Sequence, residues 1–305
     1  MITPRQRQVR NQGIGASEIA SVLGLDPWRS AYDLWLLKTE RHETSDAGAA
    51  DTGVQTIGNL IEPTTRQLAE RRLGRRIVKP TSTYKADNGI MFANLDGQVE
   101  KSIRGADAVE LKSTGLTEGW GDEGTDEVPD RVMLQVHGQM ICSGAQLAYV
   151  ARLLGRYGFS FSLYEVPLNR DLAATIEERV CDWWRNHVEK DTPPDDSVPS
   201  LGAISHVKRI AGKVVDVDPG VVAAFAAARD ARKRAEEVEE DAKARLLAAL
   251  GDAEGGNGLG WSVSFKTIKT RKLDSDSLQS AHPEIHAAFY KASSYRRLDV
   301  RSRTK

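Results

Sequence analysis

The sequence predicts an α/β fold in which a mixed β-sheet is flanked by helices. Strand-like runs rich in apolar residues alternate with segments whose apolar residues recur at helical spacing. The last two strand-like runs lie close together and predict a hairpin around Gly155 and Gly158. The strand-like runs are residues 76–84, 90–99, 106–112, 147–154 and 159–166, and the helical segments are residues 16–24, 31–38, 58–73, 129–143 and 169–190.

Local sequence signals indicate where several of these elements begin and end. The first helix ends at Gly24, a helix stop signal, and two further helices precede the strand-like runs. Residues 113–128 are rich in glycine and acidic side chains and predict a loop, after which Pro129 opens the next helix. Asn169 begins the last helix of the core, which ends near Lys190.

The chain is expected to have three parts. Residues 1–191 form the core domain, residues 192–200 a linker rich in proline and small polar residues, and residues 201–305 a C-terminal appendage. Residues 219–250 are rich in Ala, Glu, Lys and Arg, which predicts a long helix. Residues 261–265 alternate apolar and polar side chains, as a strand does. The appendage therefore combines a long helix, a short strand and a basic tail.

The composition is that of an ordinary soluble globular protein. Of the 305 residues, 40% are hydrophobic and 28% are charged. No apolar run reaches the roughly 20 residues that cross a bilayer, and the first residues lack the apolar core of a signal peptide. Cys142 and Cys181 have no metal-ligand spacing and suit a reducing compartment. A cytoplasmic location without an iron–sulfur cluster is expected.

The distribution of charge is more informative than its sum. The net charge of −1 does not by itself indicate a nucleic-acid-binding protein. Residues 266–305, however, contain ten Lys or Arg against four Asp or Glu, and residues 66–79 contain six basic side chains against Glu70 alone. Such patches can hold a phosphate backbone even in a neutral protein, although many are only solvated faces.

Acidic and basic side chains meet at the ends of two neighbouring strand-like runs. The segment NLDGQVEKSIRGADAVELK places Asp96 at the end of one run, and Glu110 and Lys112 at the end of the next. Because side chains alternate across a strand, Glu110 and Lys112 share a face and Leu111 lies on the other. Two carboxylates can hold a hard divalent cation, and the ammonium can orient or help to deprotonate an attacking water.

This combination is the PD-(D/E)XK arrangement of metal-dependent nucleases, with its first element shifted to Leu95–Asp96. It predicts a restriction-endonuclease-like core for the mixed sheet. The alternative for an isolated Glu-Leu-Lys is a solvated ion pair, but the preceding Asp-Gly and the apolar residues entering the second run favour the metal site.

Five short motifs occur in one order between residues 10 and 166. They are RNQGIGASEIASVLGLDPW, IGNLIEP, NLDG, VELK and MLQVHGQM. Together they resemble the lambda-exonuclease-like family, also called YqaJ-like viral recombinases, of the PD-(D/E)XK superfamily. The resemblance covers about half of the chain and rests on the order and separation of all five motifs.

The resemblance implies roles for the residues of the two strand ends. Asp96 and Glu110 are the expected metal ligands, with the backbone carbonyl of Val109 or Leu111 as a further ligand. Lys112 would position the attacking water or stabilise developing charge. The implied cofactor is Mg²⁺, as one or two ions, with Mn²⁺ as an alternative.

The resemblance also implies roles for two helical residues. Gln135 would orient the lysine or the nucleophile, and Glu62 would complete a second cation site or hold its waters. The alternative for Glu62 is an ion pair with Arg66 at i+4. Gln135 and Gln139 lie one helical turn apart, and without the resemblance they would form a half-exposed amide face. His137 faces away from Gln135, which argues against a general base.

The opening motif is expected to bind a terminal 5′-phosphate. Ser17 lies at the start of a helix, where free N–H groups and a hydroxyl favour phosphate, although plain N-capping uses the same geometry. The resemblance assigns Arg10 to grip the phosphate, and Arg29 is expected to contribute to the same pocket.

These residues predict a Mg²⁺-dependent exonuclease of double-stranded DNA that works from 5′ to 3′. It would leave a 3′ single strand for a single-strand annealing recombinase, in phage-type recombination within a bacterial host. The alternatives are an endonuclease or a single-strand nuclease of other polarity, and a catalytically silent module that binds DNA ends.

The resemblance further implies a homo-oligomer, most simply a trimeric ring. Apolar residues of the long helix at 219–250 could supply a subunit contact or pack on their own subunit. The basic C-terminal stretch is expected to touch the duplex backbone or the annealing partner, and the alternative is a solubilising tail.

Overall fold

The computed structural model describes residues 12–41, 53–102, 105–195, 197–271, 273–289, 298 and 300. The chain forms two compact units, Met1–Arg209 and Ile210–Lys305. The segment predicted as a linker, residues 192–200, lies within the first unit. The backbone N–H of Tyr32 donates to the Ser197 hydroxyl at 3.1 Å, and that of Ser200 donates to Asp33 at 2.9 Å. The predicted extent of the core domain, residues 1–191, stays a prediction.

A five-stranded mixed sheet forms the centre of the first unit. Its strands are β2 (Ile77–Val78), β5 (Gly97–Ser102), β6 (Gly105–Thr114), β7 (Leu147–Gly155) and β8 (Phe159–Pro167). The strand order is β2-β5-β6-β7-β8, in which β6 and β7 are parallel and the other neighbours are antiparallel. The predicted α/β class with a mixed sheet is confirmed, as is the hairpin of the last two strands.

A smaller sheet explains two strand predictions that were too long. It consists of β1 (Ile14–Gly15), β3 (Tyr84–Lys85) and β4 (Met91–Ala93), in the order β1-β4-β3. The predicted strands at 76–84 and 90–99 are therefore each divided between the two sheets. Pro80 interrupts the first because proline cannot donate to a strand ladder, and the second breaks at residues 94–96, where the chain leaves β4 and enters β5.

Two helices cover opposite faces of the large sheet. Ala69, on one helix, packs with Val109, and Val136, on the other, belongs to the cluster that contains Ala108 and Val150. Alternate residues of β6 therefore face different helices. The helices of the first unit are α1 (Ile19–Val22), α2 (Ala31–Lys38), α3 (Gly53–Leu73), α4 (Asp130–Ser143), α5 (Arg170–Trp183) and α6 (Leu201–Ser205).

Helix boundaries follow capping signals in the sequence. Ser30 and Asp33 form a reciprocal capping box at the start of α2, and Asn169 accepts two backbone N–H groups at the start of α5. Gly144 ends α4 with a φ of 75°, a left-handed conformation that suits glycine. The helix predicted at 16–24 is a 3₁₀ turn (Ala16–Glu18) followed by α1, and α5 continues into a π-helical turn, Trp184–Glu189.

The second unit contains a long helix and a hairpin. Helix α7 (Pro219–Leu250) has the predicted bounds, and none of its residues is buried. The hairpin pairs β9 (Gly255–Gly258) with β10 (Trp261–Ser264), and α8 (Ser275–Ala281) and α9 (Pro283–Ala288) follow. The glycine-rich β9 carried no strand signal, so only its partner strand was predicted. No helix within the described ranges is long and apolar enough to cross a membrane.

Candidate active site

Asp96 lies where the chain passes from the small sheet into the large one. Its neighbour Gly97 pairs with Val109 across β5 and β6. There is no room for a side chain at Gly97, because an added Cβ would lie 2.3 Å from the Cγ2 atom of Ile77. Oδ2 of Asp96 accepts a hydrogen bond from the backbone N–H of Leu111 at 3.1 Å. The break between β4 and β5 therefore places the aspartate next to β6.

Glu110 and Lys112 form an ion pair on one face of β6. Lys112 Nζ lies 2.7 Å from Glu110 Oε1. The glutamate is 3% exposed, whereas the lysine side chain is 24% exposed. The alternation predicted for this strand thus brings the two charges together, and the glutamate is far more buried than a solvated surface pair would be.

Two amides on α4 hold both oxygens of this buried glutamate. Gln135 Nε2 donates to Glu110 Oε1 at 2.8 Å, and its own Oε1 accepts from Lys112 Nζ at 2.8 Å. Gln139 Nε2 donates to Glu110 Oε2 at 2.5 Å. These donors compensate the loss of water around a buried carboxylate. Gln135 therefore lies where it can orient the lysine.

Gln139 is a site residue that was not assigned a role from the sequence. Its spacing of four residues from Gln135 was the available signal, because residues one turn apart share a helix face. Its Oε1 atom is buried and has no hydrogen-bond partner among the described residues. The amide is thus fixed by a single bond to Glu110.

The carboxylates of Asp96 and Glu110 repel each other when both are ionised. Burial raises the pKa of Asp96 to about 7, and the negative charge of Glu110 adds to the rise. The N–H of Leu111 and the charge of Lys112 act in the opposite direction. A second negative charge in a poorly solvated site is stabilised best by a cation.

These donors fit a hard cation with few protein ligands. Among the described residues, no group of three or more His, Cys, Asp or Glu side chains is placed to hold a metal. Mg²⁺ commonly binds one or two carboxylates and keeps several waters. Asp96 and Glu110, with the carbonyl of Val109 or Leu111, match that requirement without a third acidic ligand.

Glu62 makes the ion pair that was its alternative prediction. Its Oε1 accepts from Arg66 at 2.7 Å and from Lys79 at 2.6 Å. Its negative charge nevertheless contributes to the raised pKa of Asp96, which places α3 within electrostatic reach of the carboxylates. Its predicted part in a second cation site stays a prediction.

The opening motif lies beside the α4 amides. Ser17 is exposed in the 3₁₀ turn and is not its N-cap, because Gly15 holds that position. A cavity of about 50 Å³ is bounded by Ser17, Asn94 and Gln135, with Gly15, Ala16, Glu18, Phe92 and Gln139 completing its lining. The predicted phosphate-binding serine and the carboxylate-binding amides therefore share one small cavity.

The two arginines that are predicted to bind phosphate are Arg10 and Arg29. Arg10 lies outside the described residues. Arg29 Nε donates to the Ser21 hydroxyl at 2.9 Å, and its guanidinium lies 3.8 Å from Glu18 and 4.0 Å from Asp26. It lines a separate cavity of about 990 Å³ rather than the one next to Ser17.

His137 has a structural role. The helical spacing predicts that it faces away from Gln135. It is buried, and its Nε2 accepts from the N–H of Asn169 at 3.1 Å, so its Nδ1 donates to the Met133 carbonyl at 2.9 Å. Burial lowers the pKa of His137, and the ring is held neutral between two backbone groups. It is not available as a general base.

Comparison with known proteins agrees with the motif order. Residues 7–146 match the model of the YqaJ-like viral recombinase domain. This segment is similar to that domain. It contains Asp96, Glu110, Lys112 and Gln135, and the resemblance inferred from the five motifs is confirmed. The predicted enzyme class, a nuclease, agrees with this domain and with the carboxylate–lysine geometry.

Other comparisons match more of the chain than residues 7–146. The chain is 23% identical to "Uncharacterized protein YqaJ" of Bacillus subtilis (strain 168), over 96% of this chain and 92% of that protein. It is 18% identical to an alkaline exonuclease (LHK-Exo) from Laribacter hongkongensis, over 62% of this chain and 94% of that one, with a TM-score of 0.47. A phage related exonuclease from Haemophilus somnus 129PT is 13% identical over 61% and 99% of the two chains, with a TM-score of 0.37.

Proposed function

We propose that the chain is a Mg²⁺-dependent exonuclease that degrades one strand of duplex DNA from its 5′ end. The observation that carries this proposal is the pairing of buried Glu110 with Lys112, 2.7 Å apart, beside Asp96. Two carboxylates can hold a divalent cation, and a lysine beside them can orient the attacking water or stabilise the charge that develops on the phosphate. When bound, Mg²⁺ would activate water and neutralise charge on the phosphate.

The residues of this chain would prepare the reaction in distinct ways. Asp96 and Glu110 would hold the cation, with the carbonyl of Val109 or Leu111. Lys112 has three N–H groups, of which Glu110 and Gln135 accept two. The third remains for the attacking water or a phosphate oxygen. Gln135 fixes the direction of the ammonium because it bonds to both members of the ion pair.

End recognition is the part of the proposal that makes the enzyme an exonuclease. Ser17 lines the cavity that also contains Gln135, so an anion held by its hydroxyl would lie close to the carboxylate site. Arg10 would supply the charge for a terminal 5′-phosphate, and Arg29 would add to it after release from its acidic neighbours. The product would be a 3′ single strand that a single-strand annealing recombinase can use.

Assembly and context complete the proposal. A homotrimeric ring would keep the product strand enclosed, in the cytoplasm of a bacterium that carries the phage or prophage gene. The exposed apolar side chains of α7 suit a subunit contact, and light scattering at micromolar concentration tests it, because a monomeric mass would exclude the ring. These side chains are Val221, Val222, Phe225, Val238 and Leu246.

One digestion experiment separates the candidate activities. Linear duplex with 5′-phosphates and covalently closed circular duplex are incubated with the protein in Mg²⁺, in Mn²⁺ and in EDTA. The proposal expects the linear DNA alone to be degraded, only with metal, with early release of a 5′ label and survival of a 3′-labelled strand. Cleavage of the circle would indicate an endonuclease, and binding without cleavage would indicate a silent end-binding module.

A further inference from the structure

A buried arginine on β7 has no partner for its charge within the part of the chain that the structure describes. Arg152 is 8% exposed, and its Nε atom is buried without a hydrogen-bond partner among the described residues. No carboxylate among the described residues forms an ion pair with it. Buried guanidinium groups are normally paired because removing a charge from water is costly. A buried cation of this kind suits an anion that binds from outside the chain.

Aromatic rings contact Arg152 but do not replace an anion. Its guanidinium lies 5.0 Å from the Trp120 ring centroid and 5.9 Å from that of Tyr164. The two rings pack 5.1 Å apart, and the Tyr164 hydroxyl donates to the Gly121 carbonyl at 3.2 Å. A cation–π contact recovers only part of the cost of burying a charge. The rings instead hold the planar guanidinium in a fixed orientation.

The strand register places Arg152 next to the candidate active site. In the parallel pairing of β6 and β7, Arg152 lies opposite Lys112, and Val150 lies opposite Glu110. Paired residues on neighbouring strands point to the same face and are separated by about 4.8 Å between strands. Arg152 and Lys112 therefore form two adjacent cations on the face of the sheet that carries Glu110.

We propose that Arg152 binds a backbone phosphate of the DNA substrate adjacent to the phosphate that is cut. The inference rests on the proposed nuclease function and adds a substrate-binding residue to that site. A guanidinium can donate two parallel N–H groups to one phosphate, which fixes position as well as charge. Trp120, on the loop between β6 and α4, keeps this fork in place before DNA arrives.

The test compares Arg152→Gln and Arg152→Lys with a matched control, Arg41→Gln. Arg41 is also stacked on a tryptophan, 4.4 Å from the Trp35 ring centroid, but it has a carboxylate partner in Asp191 at 2.5 Å. Each protein is assayed for steady-state cleavage of linear duplex, for duplex binding in EDTA at several salt concentrations, and for thermal unfolding without DNA.

The proposal expects the Arg152→Gln change to separate binding from stability. Duplex affinity should fall about ten- to hundredfold, because a charge-assisted bond is lost, and the slope of log K against log salt should fall by about 0.9. KM should rise more than kcat falls. The melting temperature without DNA should stay the same or rise, since an unpaired buried charge is removed. Arg152→Lys should keep the wild-type salt slope. Arg41→Gln should lower the melting temperature and leave duplex binding and cleavage unchanged.

Other outcomes overturn the inference without touching the proposed function. If wild-type protein cleaves linear duplex but Arg152→Gln leaves KM and the salt slope unchanged, Arg152 is a packing residue. If Arg152→Gln does not fold, the wild-type Arg Nε–H NMR signal that is missing from Arg152→Lys is followed during titration with duplex in EDTA. A shift supports the contact, and an unmoved signal rejects it. A wild-type protein that neither binds nor cleaves DNA would instead reject the proposed function.

Discussion

Gln139 donates its amide N–H to Glu110 across 2.5 Å, one helical turn beyond the Gln135 amide that bonds to the other oxygen of the same carboxylate. A glutamate with both oxygens occupied by fixed donors keeps a single orientation. The two amides therefore determine where Glu110 can present itself to a cation, and α4 is as much a part of the candidate site as β6.

This relationship predicts energetic coupling between Gln139 and Glu110. Gln139→Leu should lower the free energy of unfolding in EDTA by about 1–3 kcal/mol, because a buried carboxylate loses a donor. Most of that loss should disappear when the same change is made in a Glu110→Gln background, as a double-mutant cycle measures. Gln146→Leu, an exposed glutamine on the loop after α4, is the control and should have little effect in either background. Simple additivity of the two changes would contradict the coupling.

The ion pair on β6 predicts a loss of cleavage without a loss of fold. Lys112→Ala and Glu110→Gln should each lower the rate of duplex degradation on the order of 10²–10⁴-fold, the usual effect of removing a positioned charge or proton-transfer group. Far-ultraviolet circular dichroism checks the fold, and Lys85→Ala, at an exposed position of β3, is the matched control. Either variant within threefold of the wild-type rate would show that the active site is elsewhere.

Asp96 predicts a pH-dependent conflict between stability and function. Its pKa in the folded protein, about 7, exceeds the ordinary value of 3.8. The folded state therefore binds the proton more tightly than the unfolded state does, and stability is lost as the pH rises from about 4 to about 7. Asp96→Asn removes this loss, so at pH 8 in EDTA the variant should be more stable than wild type by about 2 kcal/mol, although inactive.

Thermal unfolding of wild type and Asp96→Asn between pH 4 and pH 8 checks the sign. The difference should become small near pH 4, where the folded state of wild type carries the proton and the unfolded state carries it in part. Asp182→Asn, which changes an exposed aspartate on α5, should give no such trend. A variant that is less stable than wild type at pH 8 would show that the carboxylate is not under electrostatic strain.

Patterns over a few neighbouring residues of the sequence predicted much of the fold and of the candidate site. Alternation along β6 placed Glu110 and Lys112 on one face, and Asn169 placed the start of α5. The division of the 90–99 run between two sheets could not be predicted, because it depends on the close packing of Gly97 against Ile77, a contact between distant segments. That Arg152 has no charge partner among the described residues could not be predicted either, because it depends on which side chains the strand register brings together.

The cavity beside Ser17 predicts a preference at DNA ends. Duplex with 5′-phosphates should be degraded faster than duplex with 5′-hydroxyl ends, because charge-assisted hydrogen bonds are stronger than neutral ones. Ser17→Ala should reduce this preference severalfold and Arg10→Ala should remove it, while cleavage of hydroxyl ends changes little. Ser113→Ala, at an exposed position of β6, is the control. Equal wild-type rates on both kinds of end would remove the opening motif from phosphate recognition.

The basic stretch after β10 predicts contact with duplex backbone or with the annealing partner. Lys266, Lys269 and Arg271 are exposed, and Lys272 lies outside the described residues. Each phosphate contact releases counterions, so reversing the charges of Lys269, Arg271 and Lys272 to Glu should lower duplex affinity. The salt slope should fall by about 0.9 for each lost contact.

The matched control for this last prediction reverses Arg232, Lys233 and Arg234 on α7. Two of these already face a carboxylate at i+4, because Arg232 pairs with Glu236, and Lys233 lies 4.0 Å from Glu237. Their contribution to phosphate binding should be small, and the control should keep the wild-type salt slope even though its net charge changes equally. Binding is measured by fluorescence anisotropy, and recruitment of the annealing protein by co-sedimentation. If the first variant keeps both the wild-type slope and the annealing partner, the stretch is a solubilising tail, since neither function would depend on its charge.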